Sequence, residues 1–416
     1  MDIHQGFVER SMIKVLLQYL VVKYPTVIKP LQMLKNRFRA QREWVFVLGG
    51  HSYARELVQQ LYILKYKVYL ADSAPNSLNW RFASASNVVD VYDEKNIPYL
   101  VGIAKRLGCI SVLMQSDDRL YPIMAEVNRQ LNSTATFSDT AIGATLSKEI
   151  MRSCFEAAGM ELPRWRKVSM EEEITDVELP CIIKPAIGQG SQGVAYIGDL
   201  GGADQARLFI KNKMQQDQCI IEEFLPGRQF NVDGLIYNGQ PILHMITQEE
   251  FCDFLPDFKP CWYLFGIELT DETRSEISRE TREALAAVDF QSGAFHLELK
   301  FRDDKCFAFD LANRMAADFS KYERLVHGVA LVEDYHKAMH GEPVAERAMP
   351  ILCSHLRYYN YLERPNHSRI DALAQERADI GHIRLVRDGI LLEMTADNEM
   401  TLRDFLSDVY AICDNN

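Results

Sequence analysis

From Cys181 to Arg314 the chain repeats one pattern, in which short runs of apolar or alternating residues are separated by short turns. Two of these turns, at Tyr237–Asn238–Gly239 and at Asp303–Asp304, are too short to carry the chain across a sheet. Connections of this kind join antiparallel neighbours, whereas parallel strands need a crossover of a dozen or more residues. This half of the chain is therefore predicted to form an antiparallel sheet.

The preceding part of the chain has a different organisation. An apolar strand, a glycine turn, a helical pattern and a second strand follow one another at Val45–Leu48, Gly49–Gly50, Tyr53–Leu64 and Val68–Leu70. This order predicts a βαβ unit in a parallel sheet, with further strands expected at 87–92 and 109–115. The G-x-G-x-x-G fingerprint of dinucleotide binding is incomplete, so simple sheet topology explains the glycine pair better. The predicted fold class is α/β, with an α+β second half.

Length, charge and cysteine usage exclude several classes of protein. A chain of 416 residues is long enough for two or three domains. The net charge of −12 argues against general binding to nucleic-acid backbones, which attract basic surfaces. The nine cysteines include no C-x-x-C pair and no metal-ligand spacing, which favours reduced thiols and a cytoplasmic location.

The first 42 residues predict an amphipathic, basic extension. Residues 1–9 are polar, so no signal peptide is expected. The apolar segment at 12–31 is interrupted by Lys14, Lys23, Pro25 and Lys29, and is too broken to be a transmembrane span. It is followed by the basic stretch KNRFRAQRE. Packing on the body of the protein or on a dimer partner is the favoured interpretation, and binding to a membrane surface is the alternative.

A lysine inside an apolar strand indicates a ligand. In CIIKPAIGQGSQGV, Lys184 stands in the apolar run, and a loop with Gly188, Gly190 and Gly193 follows it. A lysine is rarely buried without a partner. Glycines let a backbone approach a ligand, and successive N–H groups can cradle anionic oxygens. A bound phosphate and a plain hairpin turn both fit this segment taken by itself.

A second cluster of residues predicts a magnesium site. Alternation places His296 and Glu298 on one face of a strand, and Asp310, Asn313 and Arg314 stand near the end of the next strand. Carboxylate and amide oxygens suit Mg²⁺, with phosphate and water completing its octahedron. Arg314 supplies a fixed cation for a phosphate or a developing oxyanion. For any one of these residues, a surface salt bridge is the alternative.

Two acidic residues follow the strand predicted at 109–115. Asp117 and Asp118 stand where the carboxyl ends of parallel strands bind ligands, so they are candidates for holding a substrate amine. Capping of the next helix is the alternative.

The order of these segments resembles the ATP-grasp superfamily of carboxylate–amine ligases over roughly residues 43–341. The pieces are the helix that begins near Lys148, the IIKPAIGQGSQGV strand and loop, IIEEFLPGRQF and the HLELK…FDLANR hairpin. The resemblance implies an ATP-grasp fold with a Rossmann-like N-terminal α/β domain at 43–140. It also implies an ATP-grasp domain at 141–345 with a lid at about 165–222, and a C-terminal α/β cap at 346–416.

The resemblance assigns a role to each matching residue. Lys148 and Lys184 would bind the nucleotide, with Gly190, Ser191 and Gly193 in a loop that closes over the phosphates. The Glu222 carboxylate and the backbone of Glu223 and Leu225 would hold adenine. Gln229 stands where relatives usually carry a glutamate for the ribose. The residues implied for magnesium, with Mn²⁺ as the alternative ion, are Glu298, Asp310 and Asn313, and Arg314 and Lys184 are the implied catalytic residues.

The implied reaction joins a small carboxylic acid to an amine by way of an acyl phosphate, with ATP converted to ADP. Amino-acid and dipeptide ligases of natural-product pathways, such as antibiotic biosynthesis, are the branch that the chain resembles most. A purine-pathway or biotin-carboxylase type is the alternative, and a non-catalytic ATP-binding scaffold is the alternative of another class. The relatives are often homodimers. The sequence departs from the family at NRMAADF, where Asp318 would pair with a substrate amine or cap a helix. The candidates for contact with the substrate are Asp117, Asp118, His296 and Asp318.

Overall fold

The computed structural model describes residues 25–75, 77–115, 117–169, 172, 179–202, 204, 206, 208, 218–251, 260–316, 319–328, 331–344, 354–360, 369, 372–373, 377 and 390–414. The predicted helix before residue 25 and Asp318 therefore lie outside the described residues. The chain divides into two compact units, one within 1–115 and 126–133 and the other within 116–125 and 134–416. The four-part division expected from the sequence stays a prediction.

The first unit is built around a parallel sheet of four strands in the order β3-β2-β1-β4. Its described strands are β1 Trp44–Leu48, β2 Lys67–Asp72, β3 Ala85–Val88 and β4 Val112–Met114. Its described helices are α1 Pro25–Arg39, α2 Arg55–Ile63 and α3 Ile97–Leu107. The next helix, α4 Tyr121–Gln130, has its first residues assigned to the second unit and its last residues to the first. The predicted βαβ unit is present because β1 is buried almost throughout and α2 connects it to β2.

One strand of this sheet lies earlier in the sequence than predicted. The apolar pattern placed a strand at 87–92, whereas β3 pairs with β2 only over Ala85 to Val88. The chain then leaves the sheet, since Asp90 accepts hydrogen bonds from the Ser73 hydroxyl and from the Tyr92 backbone. Local turn chemistry of an Asp thus overrides the apolar pattern.

The second unit holds two antiparallel sheets, as predicted. The four-stranded sheet has the order β5-β8-β6-β7, and the seven-stranded sheet has the order β13-β12-β9-β10-β11-β14-β15. The strands of the smaller sheet are β5 Trp165–Ser169, β6 Cys181–Pro185, β7 Ala195–Ile197 and β8 Gln218–Glu223. Those of the larger sheet are β9 Arg228–Tyr237, β10 Gln240–Phe251, β11 Pro260–Phe265, β12 Gly293–Arg302, β13 Lys305–Ala312, β14 Ser354–Asn360 and β15 Ile390–Ala396.

Six further helices are described in the second unit. They are α5 Asp139–Leu146, α6 Lys148–Ala157, α7 Asp271–Ala287, α8 Phe319–His327, α9 Leu331–Met339 and α10 Glu399–Asp414. The Ser147 side chain caps the start of α6 by accepting from the Ile150 backbone N–H, and Gly159 follows its end with φ of 75°. No helix among the described residues is both long and apolar enough to cross a bilayer.

Alternation in β12 separates the core of the larger sheet from its polar face. Phe295, Leu297 and Leu299 are fully buried on one face, and His296 and Glu298 project from the other. The tight turn after β9 and the tight turn after β12 use residues with positive φ, at Asn238 and Asp303 respectively.

Helix α7 contacts the outer edge of this sheet with two carboxylates. Glu276 Oε1 accepts from the Cys306 backbone N–H at 3.0 Å, and Glu280 Oε1 accepts from the Ala308 backbone N–H at 2.8 Å. Both amides belong to β13, the first strand in the sheet order.

Candidate active site

A cleft of about 790 Å³ lies between the two sheets of the second unit. One part of its wall is apolar and includes Ile182, Phe224, Leu225, Phe251 and Phe309. The other part is charged and includes Lys148, Lys184, Glu298 and Asp310. A cleft with an aromatic end and a cationic end suits a ligand that has a flat ring system and a polyanionic tail.

Lys184 is the buried cation of this cleft. Every residue of β6 is buried, and the Lys184 side chain is only 4% exposed. Its Nζ lies 2.6 Å from Glu222 Oε1 and 5.5 Å from the ring centroid of Phe309. Burial lowers the pKa of the Lys184 ammonium group, against the opposing effect of Glu222.

The Glu222 carboxylate is engaged on both oxygens. Its Oε2 accepts from Nη2 of Arg152, a fully buried side chain whose Nη1 donates to the Ala308 carbonyl oxygen at 3.2 Å. Burial would raise the pKa of Glu222, but Lys184 and Arg152 together lower it. Both oxygens of this carboxylate thus contact cations, and the expectation that it holds adenine stays a prediction. Arg152 was missed from the sequence, although it stands one helical turn after Lys148 on the same face of α6.

Lys148 stands at the first residue of α6 and pairs with Asp310. Its Nζ donates to Asp310 Oδ2, and its backbone N–H donates to the Ala186 carbonyl oxygen at 3.0 Å. Burial alone would raise the pKa of Asp310, but the neighbouring cations, Lys148 foremost, lower it to about 2. Asp310 is thus ionised at neutral pH.

Of the three predicted metal ligands, the structure brings two together. Glu298 of β12 and Asp310 of β13 are cross-strand partners, and both line the cleft. Asn313 is buried elsewhere, where its Nδ2 donates to the Ala141 carbonyl oxygen at 3.0 Å, and it lines neither the cleft nor its extension. β13 ends at Ala312, so Asn313 lies beyond the strand, and its amide is held by the Ala141 carbonyl oxygen rather than beside Asp310.

Gln229 lies in the cleft wall with a carboxylate behind it. Its Nε2 donates to Glu249 Oε2 at 2.7 Å, and the Asn231 amide donates to the other oxygen of Glu249. Burial and the nearby Glu298 carboxylate raise the pKa of Glu249 to about 8. The Gln229 amide is therefore oriented by a carboxyl group on the neighbouring strand, and its expected role at a ribose stays a prediction. Nothing in the local sequence pattern indicates Glu249.

The glycine loop lies over the charged end of the cleft. Residues 188–192 line the cleft, and Gly190, Ser191 and Gly193 have φ of 66°, 54° and 76°. Left-handed backbone at these positions is natural for glycine and strained for Ser191. The Gln189 side-chain oxygen accepts from the Asp118 backbone N–H at 2.9 Å.

An extension of about 400 Å³ continues the cleft past Glu298 and Asp310 to Arg314. Arg314 Nε donates to Asp118 Oδ1 at 2.6 Å. Burial would lower the pKa of the Arg314 guanidinium, but Asp118 raises it. Asp118 therefore reaches the site, whereas Asp117 does not line it and instead forms a bidentate pair with Arg119 while capping the following turn.

His296 lines the same extension beside two carboxylates. Its Nδ1 lies 2.9 Å from Asp233 Oδ1, and its Nε2 lies 3.8 Å from Glu298 Oε1. Burial would lower the pKa of the imidazole, but Asp233 and Glu298 raise it to about 10. Asp233 was not singled out from the sequence, and its cross-strand register opposite His296 is what brings the two together.

Comparison with known proteins supports the family predicted from the sequence. Residues 177–321 match the sequence family described as ATP-grasp domain. An uncharacterized protein, y4rH, of Sinorhizobium fredii is 22% identical over 262 residues, which cover 60% of this chain and 54% of that protein. The chain thus spans only about half of that relative. A formate-dependent phosphoribosylglycinamide formyltransferase of Geobacter metallireducens is 22% identical over 319 residues, or 73% of this chain and 77% of that protein.

A solved structure extends the likeness to the fold of most of the chain. An L-amino acid ligase from Bacillus licheniformis superposes with a TM-score of 0.68 at 15% identity, covering 89% of this chain and 98% of that one. Identity at this level establishes the fold alone. The predicted ATP-grasp fold and the α/β class are confirmed.

Proposed function

We propose, from the match of residues 177–321 to the ATP-grasp domain family, that the chain is an ADP-forming carboxylate–amine ligase of the ATP-grasp superfamily. The observation that carries the proposal is a pair of adjoining pockets that share Lys148, Glu298 and Asp310. Together their linings run from an apolar wall, past Lys184, to Arg314. In this arrangement adenine occupies the apolar end, with Leu225 and Phe309 in the wall, and the acid substrate lies near Arg314.

The charge balance of the cleft supports a triphosphate. Arg152 and Glu222 neutralise each other in the buried interior, and Lys148 and Asp310 do the same nearer the opening. Arg152, Lys184 and Glu222 together carry one positive charge in excess, because Lys184 shares Glu222 with Arg152, and the Glu298 carboxylate of the same cleft is the one that a metal ion would take up. The lowered pKa of Lys184 reflects a buried cation that is only partly balanced, and a phosphate oxygen would restore that balance. Charge-assisted hydrogen bonds of this kind contribute about 1.5–3 kcal/mol each.

The residues present also fit a magnesium ion. Glu298 and Asp310 offer carboxylate oxygens side by side, and the low pKa of Asp310 keeps it ionised. Among the described residues no group of three or more His, Cys, Asp or Glu side chains could hold a metal, so the remaining ligands would be phosphate oxygens and water. The ion would neutralise phosphate charge. Asn313 is not part of this proposed set.

In the proposed reaction, a carboxylate oxygen of the acid attacks the γ-phosphorus while the bond to the bridging oxygen breaks, giving an acyl phosphate and ADP. The amine then attacks the acyl carbon, phosphate departs with the electrons of its bond, and the amine proton passes to solvent. Lys148 and Lys184 position the transferred group, and Arg314 faces the oxyanion that develops on the acyl carbon. The glycine loop would exclude water that would otherwise hydrolyse the acyl phosphate.

The substrate pair separates the two enzyme candidates. A cationic His296 and the Asp118 carboxylate in the extension suit an amino acid, which carries both charges, and the solved L-amino acid ligase has the same fold. The second candidate is a purine-pathway type of ligase, favoured by the similarity to the formate-dependent transformylase. A screen that measures phosphate and ADP release with acids and amines in pairs distinguishes them. Turnover that requires an amino acid supports the first, and turnover with formate or bicarbonate supports the second.

Two substitutions test the proposed cleft itself. Lys184→Ala is expected to weaken ATP binding at least tenfold in calorimetry. Arg314→Ala is expected to leave ATP binding unchanged and to remove turnover. Turnover that is lost in this way also distinguishes an enzyme from an ATP-binding scaffold. Lys167→Ala, a half-exposed lysine of β5 that pairs with Glu149, is the matched control and leaves both unchanged. Unaltered ATP affinity in the Lys184 variant, or full activity in the Arg314 variant, would contradict the proposal.

A further inference from the structure

A second cavity of about 700 Å³ lies in the same unit and shares no lining residue with the cleft or its extension. It opens where β10 and the segment after β11 meet the first turns of α7 and the end of α8. Its apolar wall includes Met245, Ile267 and Leu269. Its polar wall includes His244, Arg274 and His327. Part of this space is open to solvent, so it would receive one end of a small organic molecule rather than enclose it.

His244 is buried with one ring nitrogen unused. Its side chain is 2% exposed, and its Nδ1 lies 2.8 Å from Oε1 of the equally buried Glu323. Its Nε2 has no hydrogen-bond partner among the described residues. His244 stands at an irregularity of the β9–β10 pairing, where the register shifts between Leu243 and Met245. Such bulges redirect side chains, often next to functional sites.

His327 presents a second buried nitrogen at the other side of the cavity. Its Nδ1 is also buried, and no described residue accepts from it or donates to it. Burial lowers the pKa of His327, and His244 and Arg274 lower it further because all three groups face the same space. Buried polar atoms without partners are uncommon in native structures, and each one calls for an explanation such as a bound molecule.

Arg274 is the cation of this wall, beside two imidazoles that can donate a hydrogen bond without carrying a charge. It lies in the first turn of α7, exposed to solvent, and no Asp or Glu is among the described residues that line the cavity. Glu323 lies behind His244, and its other oxygen accepts from the Leu331 backbone N–H at 3.0 Å. The first turn of a helix adds a partial positive charge of its own.

We propose that this cavity is a binding site for a small amphiphilic anion, whose charged group is held by His244, Arg274 and His327. The apolar part of the ligand packs against Ile267 and Leu269. A carboxylate and a phosphate share the chemistry that these groups recognise: Arg274 and His327 donate to an anionic oxygen, and His244 Nε2 donates when the proton shared with Nδ1 lies on Glu323, whose pKa is raised by burial. The site does not depend on the proposed ligase activity, because it is separate from the residues of the cleft.

Binding of benzoate, phenyl phosphate and uncharged benzyl alcohol to the full-length protein tests the proposal by calorimetry or protein-observed NMR. At least one of the two anions is expected to bind at least tenfold more tightly than benzyl alcohol. A preference for benzoate identifies the natural ligand as a carboxylate, and a preference for phenyl phosphate identifies it as a phosphate.

Matched variants on α7 locate the binding. Arg274→Ala is expected to weaken the preferred anion about tenfold, which is the loss of one charge-assisted hydrogen bond. Arg282→Ala removes another exposed arginine of the same helix outside the cavity and leaves affinity within twofold. His327→Gln keeps a hydrogen-bond donor but removes the imidazole at a partly exposed position. Weaker binding of the preferred anion by this variant is the second measurement that locates the site. Equal binding of benzyl alcohol, no binding of either anion, or affinity unchanged by Arg274→Ala would overturn the proposal.

Discussion

Arg152 supplies the sharpest test of how the cleft is held together. Its guanidinium is fully buried and makes hydrogen bonds to the Glu222 carboxylate and to the Ala308 carbonyl oxygen. Arg152→Met keeps a side chain of similar length but removes both donors. Breaking a buried ion pair from one side commonly costs about 3–5 kcal/mol, because the other charge stays buried. Lys184 remains next to Glu222, so the lower end of that range, about 3 kcal/mol, is expected.

Urea unfolding of the purified protein measures this loss. Arg164→Met is the matched control, because Arg164 forms an ion pair with Glu223 only one residue further along β8, yet its side chain is 78% exposed. An exposed pair of this kind contributes at most about 1 kcal/mol.

A double variant then isolates the pair. Glu222→Gln combined with Arg152→Met is expected to cost at least about 1 kcal/mol less than the sum of the two single variants, since both charges have gone. An Arg152→Met protein as stable as the Arg164→Met control, or single-variant losses that simply add, would refute the view that the buried pair organises the cleft.

Two further predictions concern acidic side chains of the second unit. Glu298→Ala is expected to depress turnover, and excess Mg²⁺ is expected to restore part of it. Asp303→Ala, at the exposed turn of the same hairpin, is the control and leaves turnover unchanged. Full turnover of the Glu298 variant at ordinary Mg²⁺ would remove Glu298 from the proposed metal site. Burial raises the pKa of the Glu280 carboxyl to about 7 from an ordinary value of 4.5, so the folded state holds a proton that the unfolded chain has already released. The free energy of unfolding therefore falls as pH rises from 4.5 through about 7, and Glu280→Gln, which still accepts from Ala308, flattens that slope in urea titrations at a series of pH values.

The sequence predicted those parts of the fold that depend on local chemistry. Two-residue turns at Asn238 and Asp303 require antiparallel neighbours, and the period of two along β12 separates Glu298 from the core. Lys184 was singled out because a lysine interrupts an apolar strand, and the structure places it in one cleft with Glu298 and Asp310.

The parts that were missed depend on contacts between distant segments. Arg152 reaches Glu222 across 70 positions, and Asp233 meets His296 across 63. Register between strands decides such pairs, and a single sequence does not specify which strand lies beside which. Asn313 follows the same rule, since its amide donates to the Ala141 carbonyl oxygen across 172 positions, a contact that closeness to Asp310 in the sequence does not reveal.

The carboxylates of Glu276 and Glu280 have a consequence for how copies of this chain can meet. An edge strand normally offers a row of free amides to any passing strand, and that row is the template for intermolecular sheets. Along β13 the amides of Cys306 and Ala308 are already capped from α7. A strand of a second molecule would have to displace both carboxylates to pair with this stretch of β13, which disfavours self-association there.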